Sequence, residues 1–540
     1  MIAGDSRTVP TIQVVESRMS RAGAVLVAVL LIAGRLSLTA PAECGADRGS
    51  AASDEFIAEG ARWVQTPALE SNLFVSSTGV LEKTYAAECL ETGDGGYVVT
   101  GNTGPLDGEM ICLLKYDEFG SVAWARTAQG SLAARYNSES VALSPDGGFL
   151  VAGWAYGTMM HAVLLAQYDS GGELRWIRSY STFSGDMAYA IRGTRDGGYI
   201  VGGYDARASP YYGNVLLMKC DVAGNVEWSV SSGSPDIEKA EAVAQTADDG
   251  YVVAGYTQMY TTNARNPLIA RYDCDGALLW SRVLYGAGSD YAYGVQQTSD
   301  GGYIMVGACE SWGAGIRDML IVKFDSDGAV EWARTAGGTG HDTANSVRAT
   351  TDGGYIIAGE SFVPNREKEL LVLKLNAAGD LEWARAAGGT GYDYCNSAIQ
   401  TADGGYLLAG TGYPVTPAYR YNVILLRLNA AGQYPGCAFL RAVTVTYANL
   451  DIDSSDFPMD SFPVSLAVST PEVTLASPKP TVAFICSLTT PTPTPTLTPT
   501  PAISPQSVPA FARGGLALLI GLLGALLCPG GLRAVWRKRT

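Results

Sequence analysis

A motif of the form Asp-Gly-Gly-aromatic, or a close variant, recurs seven times along this chain at a nearly constant spacing. Its aspartates, 50 to 52 residues apart, are Asp94, Asp146, Asp196, Asp248, Asp300, Asp352 and Asp403. Each repeat unit contains four short runs rich in β-branched and aromatic residues, bounded by glycine and aspartate. A fixed period of this length with strand-like content is typical of β-propellers. The sequence therefore predicts an all-β fold, a seven-bladed β-propeller of four-stranded blades.

A second repeated element, Asp/Asn-x-x-Gly-x-x-x-Trp, places a tryptophan at the end of each of the first six units. The seventh copy reaches Pro435 at that position, whereas an unmatched tryptophan, Trp63, precedes the first unit. We therefore predict that the N-terminal strand around Trp63 completes the last blade, so that the propeller spans 61–436. Closing the ring in this way removes the free strand edges of an open array.

These motifs resemble the units of bacterial secreted seven-bladed β-propellers (DGGY or SBBP-like repeats), which read like "GGYIVAG…LLVKLDAAGDLEWARTAGG". The resemblance covers roughly 61–435, and it implies the propeller fold and an exported protein but no particular activity. The Asp-to-Trp element is also similar to the tryptophan-docking motif of quinoprotein dehydrogenases. Because this chain has seven units and no adjacent pair of cysteines, we expect no quinone and no other organic cofactor.

The two ends of the chain predict export and anchoring. Residues 1–42 read as a signal-peptide region, with Met19 as a possible start, and 43–60 as a linker. After the propeller we expect a small β segment at 437–487 and a Pro/Thr-rich stalk at 488–510. An apolar run with a basic tail at 511–540 predicts a transmembrane anchor whose tail stays cytoplasmic. This end also resembles an exosortase-type sorting signal, so we expect the protein at a bacterial cell surface.

Composition narrows the possible partners and the redox chemistry. A net charge of −16 argues against binding nucleic acid through a basic face. No C-x-x-C spacing occurs, and most cysteines of the repeats are expected to be singly buried. Cys437 and Cys486 bracket the segment after the propeller, and we predict a disulfide between them.

Five units carry a carboxylate ten residues before the hairpin aspartate, where the first two units have Thr84 and Tyr136. These carboxylates are Asp186, Glu238, Asp290, Asp342 and Asp393. The position should begin the innermost strand of each blade, near one mouth of the central channel. The five carboxylates either form a ring that attracts a cation such as calcium, or each one caps its own turn.

The irregular connections between repeats should lie on the face opposite the hairpin turns. They carry exposed aromatic residues suited to recognition, among them Trp154, Tyr211, Tyr212, Tyr260, Trp312 and Tyr419. We therefore predict a monomeric surface module that binds an extracellular protein or polysaccharide through this loop face. The alternatives are a carbohydrate-active lyase or hydrolase on the same face, and a structural surface protein.

Overall fold

The computed structural model describes residues 73–487 except for short stretches within the loops and the C-terminal region. These stretches are 81–82, 105–109, 131–134, 158–160, 183–184, 207–212, 363–367, 390, 413–420, 438, 453, 465–466, 470–472 and 477–480. The predicted signal region, linker, stalk and anchor lie outside the described residues, as does Trp63. Within the described residues, no helix is long and apolar enough to cross a membrane.

The described chain consists of strands arranged in seven sheets. The chain begins with β1 (Phe74–Gly79). Six four-stranded blades and three strands of a seventh follow as antiparallel meanders. Blade 1 is β2 (Lys83–Glu91), β3 (Tyr97–Gly104), β4 (Met110–Tyr116) and β5 (Val122–Gly130); blade 2 is β6 (Arg135–Leu143), β7 (Phe149–Tyr156), β8 (His161–Tyr168) and β9 (Leu174–Ser181); blade 3 is β10 (Met187–Gly193), β11 (Tyr199–Ala206), β12 (Gly213–Cys220) and β13 (Val226–Gly233). Blade 4 is β14 (Ile237–Gln245), β15 (Tyr251–Gln258), β16 (Arg265–Tyr272) and β17 (Leu278–Val283); blade 5 is β18 (Tyr291–Gln297), β19 (Tyr303–Cys309), β20 (Asp318–Phe324) and β21 (Val330–Gly337); blade 6 is β22 (Asp342–Ala349), β23 (Tyr355–Phe362), β24 (Lys368–Leu375) and β25 (Leu381–Ala387); blade 7 begins with β26 (Tyr394–Gln400), β27 (Tyr406–Gly412) and β28 (Asn422–Leu428).

The ring is closed by the N-terminal strand, but that strand is β1 and not a strand around Trp63. β1 pairs with β28, from Phe74 opposite Arg427 to Thr78 opposite Val423, and so supplies the fourth strand of blade 7. The assignment of Trp63 to this place is therefore wrong. One apolar cluster contains Phe74 and Tyr97 from the start of the propeller together with Leu407 from blade 7, so the two ends share a core.

Phe74 replaces the tryptophan that the other blades use to contact their neighbours. In those blades the Trp ring lies over the turn glycine of the next blade: a Cβ placed on Gly172 would lie 2.9 Å from the ring of Trp124. A Cβ on Gly120 would lie 2.4 Å from the ring of Phe74. The side chain therefore fills the same interblade position, and only glycine fits beneath it.

A fifth strand on every blade comes from the C-terminal segment 440–487, which we call the belt. Its strands are β29 (Leu440–Ala442), β30 (Thr446–Leu450), β31 (Ser455–Asp456), β32 (Asp460–Pro463), β33 (Ala467–Ser469), β34 (Val473–Ala476) and β35 (Thr481–Ser487). They pair in that order with the outer strands of blades 6, 5, 4, 3, 2, 1 and 7. The belt thus encircles the propeller and covers every outer edge. The region expected as a separate small β segment is part of the propeller.

The hairpin aspartates form a scaffold on the face of the Asp-Gly-Gly turns. Asp94 accepts hydrogen bonds from Thr92 Oγ1 at 2.5 Å and from the Gly96 amide at 3.2 Å. Lys115, buried on the third strand, forms an ion pair with Asp94 at 3.0 Å. The same contacts recur around other hairpin aspartates, including Asp300 and Asp352. These residues serve the repeat, which leaves the channel and the opposite, loop face as places for function.

Candidate functional site: the central channel

The innermost strand of every blade carries a β-bulge at the same point. In blade 1 the pairing register shifts between Ala86 and Glu88, and the same shift occurs in the innermost strands of the other six blades. A bulge inserts one unpaired residue and redirects its side chain. The sevenfold repetition of the bulge therefore sets one residue from each blade around the channel.

These seven residues, which we call the bulge ring, are partly exposed between buried neighbours. They are Ala87, Glu139, Tyr189, Glu241, Tyr293, Asn345 and Asn396. All seven line a cavity of about 380 Å³ to which every innermost strand contributes. Carboxylates, phenols and amides thus occupy backbone positions that are equivalent in all blades, and only Ala87 lacks a polar group.

An ion cluster crosses the channel towards the hairpin face. Glu88 of blade 1 pairs with Arg192 of blade 3 at 2.9 Å and with Arg348 of blade 6 at 2.7 Å. Ser140 donates a further hydrogen bond to Glu88 at 2.5 Å. We call Glu88, Arg192 and Arg348 the floor cluster. Because blades 1, 3 and 6 are not neighbours, these side chains can meet only across the channel, which they obstruct on the hairpin side.

The floor cluster combines one negatively charged carboxylate with two positively charged guanidinium groups. Burial opposes the negative charge of Glu88, but Arg192 and Arg348 outweigh burial and hold the pKa of Glu88 below its usual value. Burial, reinforced by the charge of Arg192, lowers the pKa of Arg348 to about 10. All three groups are charged at neutral pH, so the cluster has a net charge of about +1.

Nearer the loop face, aromatic rings and cations alternate along blades 3 to 5. Lys239 Nζ lies 3.7 Å from the centre of the Tyr189 ring and 5.8 Å from that of Tyr256. Arg265 Cζ lies 5.5 Å from the Tyr256 ring and 5.4 Å from the Tyr291 ring. Arg317 continues the sequence at 5.3 Å from the Tyr291 ring. We call these six side chains the tyrosine–cation row, and its spacings are those of cation–π contacts.

The row has its own charge balance. Lys239 pairs with Glu241 of the bulge ring at 2.9 Å. Although burial opposes its charge, Glu241 and the neighbouring tyrosines raise the pKa of Lys239. Burial raises the pKa of Tyr189 to about 12, so this phenol stays protonated. Arg265 donates to the Tyr291 hydroxyl at 2.7 Å and forms no ion pair with a described carboxylate.

The five predicted ring carboxylates are buried and serve the loops of individual blades. Glu238 accepts from the Ser234 amide at 3.0 Å, and Asp342 and Asp393 accept from the amides of Gly338 and Gly389, each at 2.8 Å. Asp186 accepts from the Thr182 hydroxyl at 3.0 Å, and Asp290 from the Ser311 amide at 3.0 Å. No group of three or more His, Cys, Asp or Glu side chains within the described residues could hold a metal ion. The geometry is that of turn capping and gives no support to a calcium ring.

Burial raises the pKa of four of these carboxylates. The pKa of Asp186 rises to about 7 through burial and the nearby charge of Asp205. The pKa values of Glu238, Asp290 and Asp342 are also raised, chiefly by burial. A raised pKa favours the uncharged form of a carboxyl group, which makes a shared cation still less suitable for these residues.

The predicted aromatic residues are only partly brought together. Trp154 approaches the bulge ring, since its Nε1 donates to Glu139 at 3.3 Å. Tyr260 is 62% exposed on a loop, whereas Trp312 packs against the core between blades 4 and 5. Tyr211, Tyr212 and Tyr419 lie outside the described residues. Of this set, Trp154 alone has a described hydrogen bond to the bulge ring.

The described cysteines divide into two groups. Cys89, Cys112, Cys220, Cys309 and Cys395 are free and buried, as expected. Cys437 is disulfide-bonded, and so is Cys274. The side chain of Cys486 lies outside the described residues, so its pairing with Cys437 stays a prediction.

Neither the bulge ring nor the floor cluster was predicted from the sequence. The signal for the ring lay at the position seven residues before each hairpin aspartate, where four residue types occur among the seven blades. The floor cluster had no such signal, because Glu88 is 104 residues from Arg192 and 260 residues from Arg348. The assembled pocket offers aromatic faces, hydrogen-bonding side chains and a cationic floor to a ligand.

Comparison with known proteins gives structural similarity only. No protein family and no curated protein matches this sequence. Among solved structures, the chain is similar to the periplasmic gluconolactonase of Pseudomonas aeruginosa, with a TM-score of 0.38 and 12% identity over 68% of this chain and 99% of that one. It is also similar to Sqt1 of Chaetomium thermophilum, with a TM-score of 0.38 and 10% identity over 67% of this chain and 98% of that one.

Proposed function

We propose that this protein is an exported, membrane-anchored surface module that binds a polysaccharide chain end in the central pocket. The observation that carries the proposal is the bulge ring, in which a backbone irregularity kept in all seven blades presents side chains of four different types. Export and anchoring rest on the two ends of the sequence and remain part of the proposal.

The chemistry of the pocket favours a sugar. Tyr189 and Tyr293 supply aromatic faces, while Glu139, Asn345 and Asn396 supply acceptors and donors for hydroxyl groups. The volume of about 380 Å³ lies within the range of roughly 300–1,000 Å³ usual for small-ligand sites. A pocket obstructed on the hairpin side admits a chain end from the loop face. A folded protein partner would be limited to the surrounding loops.

A second candidate, an extracellular carbohydrate-active enzyme, is favoured by the two carboxylates of the bulge ring. Glu139 and Glu241 belong to blades 2 and 4 and line the same cavity. Paired carboxylates are the groups that glycoside hydrolysis requires. Binding without turnover supports the module, whereas product formation that is lost in Glu139→Gln supports the enzyme.

A glycan array probed with the full-length protein tests the proposal, followed by a product assay on each glycan that binds. The double variant Tyr189→Ala/Tyr293→Ala should weaken binding by about 100-fold or more, because buried aromatic contacts contribute strongly to recognition. Phe119→Ala is the matched control, since Phe119 is a 50%-exposed aromatic on the hairpin face. Equal binding by the wild type and the double variant would exclude the pocket as the site.

A further inference from the structure

We propose that the ligand carries an oxyanion, a carboxylate or a sulfate ester on its terminal sugar, and that the floor cluster binds it. This inference rests on the proposed function and names the ligand class for the same pocket. It is carried by two features of the channel that lie at different depths, the floor cluster and the tyrosine–cation row.

The floor cluster has more cationic than anionic groups. Glu88 satisfies one positive charge of the pair Arg192 and Arg348, and one remains. Within the described residues Arg348 donates to Glu88 and to the Val347 carbonyl, whereas a guanidinium has five N–H donors. Both arginine side chains line the cavity and stay partly exposed, at 27% for Arg192 and 19% for Arg348. A planar oxyanion is the ligand group that such a fork of donors fits.

The tyrosine–cation row borders the cavity through Tyr189 and adds one unpaired positive charge, because Lys239 is paired with Glu241 and Arg317 with Glu310. Arg265 has no described carboxylate partner, and it lies between the rings of Tyr256 and Tyr291. The rest of this protein is acidic, with a net charge of −16. Positive charge in and beside the channel of an otherwise acidic protein focuses the electrostatic field there and attracts anions to the pocket.

The carboxylates of the channel wall do not cancel this preference. Glu241 is neutralised by Lys239 at 2.9 Å. Glu139 accepts a hydrogen bond from the uncharged indole of Trp154, and it differs from the arginines in its depth along the channel. Both belong to the bulge ring, nearer the loop face than the arginines. In a bound chain end they would face sugar hydroxyls, while the acidic substituent reaches the floor.

The test is an array on which each uronate or sulfated glycan is printed beside its carboxyl-reduced or desulfated form. Full-length protein should bind the acidic member of a pair about 10- to 100-fold more tightly, the range expected for charge-assisted hydrogen bonds. Arg348→Gln should abolish this preference by weakening binding of the acidic member, because Arg192 and Glu88 then form a neutral pair. Arg348→Lys should restore part of it.

Arg195→Gln is the matched control, because Arg195 is 53% exposed and pairs with Asp249 on the hairpin face. If Arg348→Gln keeps the wild-type preference for the acidic glycan, the assignment of the oxyanion site to the floor cluster is overturned. Equal binding of acidic and neutral members by the wild type would overturn the inference and leave the proposed function standing. No binding to any glycan would overturn both. The uronate and sulfate pairs show which oxyanion the site selects.

Discussion

Phe74 provides a direct test of how the ring closes. Its side chain is 2% exposed, and its ring centre lies 6.0 Å from that of Tyr97 in blade 1. Phe74→Ala would remove the contact over Gly120 and leave a cavity between blades 7 and 1, at a cost of about 3–5 kcal/mol in the free energy of unfolding. For roughly 400 ordered residues, at about 2.1 cal/mol/K each, this corresponds to a fall in Tm of about 4–6 °C.

The matched variant is Trp63→Ala, because the repeat pattern alone assigned the closing role to Trp63. Differential scanning calorimetry of both variants, with limited proteolysis of the segment before blade 1, compares the two positions. Phe74→Ala should unfold earlier and become more sensitive to proteolysis, while Trp63→Ala stays close to the wild type. A larger loss in Trp63→Ala than in Phe74→Ala would refute the closure described here.

Three further predictions concern other parts of the fold. Between about pH 4 and pH 7 the folded protein holds a proton on Asp186 that the unfolded chain releases, so the free energy of unfolding falls as the pH rises through this window. Denaturant titrations at pH 5 and pH 8 should show a smaller fall in the free energy of unfolding for Asp186→Asn than for the wild type. Truncation after residue 438 removes the belt and frees seven strand edges, so this variant should aggregate. Truncation after residue 488 keeps the belt and should leave a monomer, and size-exclusion chromatography with light scattering compares the two variants. The buried thiols of Cys89, Cys112 and Cys220, with pKa values raised by burial to about 12, should resist thiol reagents until denaturant is added, as peptide mapping of labelled sites can verify.

The fold could be predicted because its strongest determinants are local and repeated. Each hairpin turn, each buried third strand and each Trp over a glycine is encoded within one unit, and seven copies of one pattern leave little choice of architecture. Closure at the N-terminus was also predictable, from counting strands. The identity of the closing strand was not, because Phe74 fills a tryptophan's place without the surrounding motif.

The belt and the floor cluster could not be predicted, for different physical reasons. Belt strands such as Ser455–Asp456 and Ala467–Ser469 are too short to show alternation, and their pairing depends on edges that the folded propeller presents. The floor cluster depends on ring closure, since Glu88 reaches Arg348 only when blades 1 and 6 face each other across the channel. Neither interaction leaves a periodic trace in the sequence.

Symmetry separates scaffold from site in this molecule. The hairpin aspartates keep their residue type, and Asp94, Asp300 and Asp352 accept the same hydrogen bond from the second glycine of the turn, because every blade needs the same turn. The bulge ring keeps its backbone irregularity but changes its side chain, from Ala87 through Glu139 and Tyr189 to Asn396. A ligand without sevenfold symmetry presents a different atom to each blade. A site for it therefore requires the same backbone geometry in every blade and side chains that differ among the blades. Among the columns that face the channel, the bulge column combines these two properties, and the floor cluster beneath it supplies the charge.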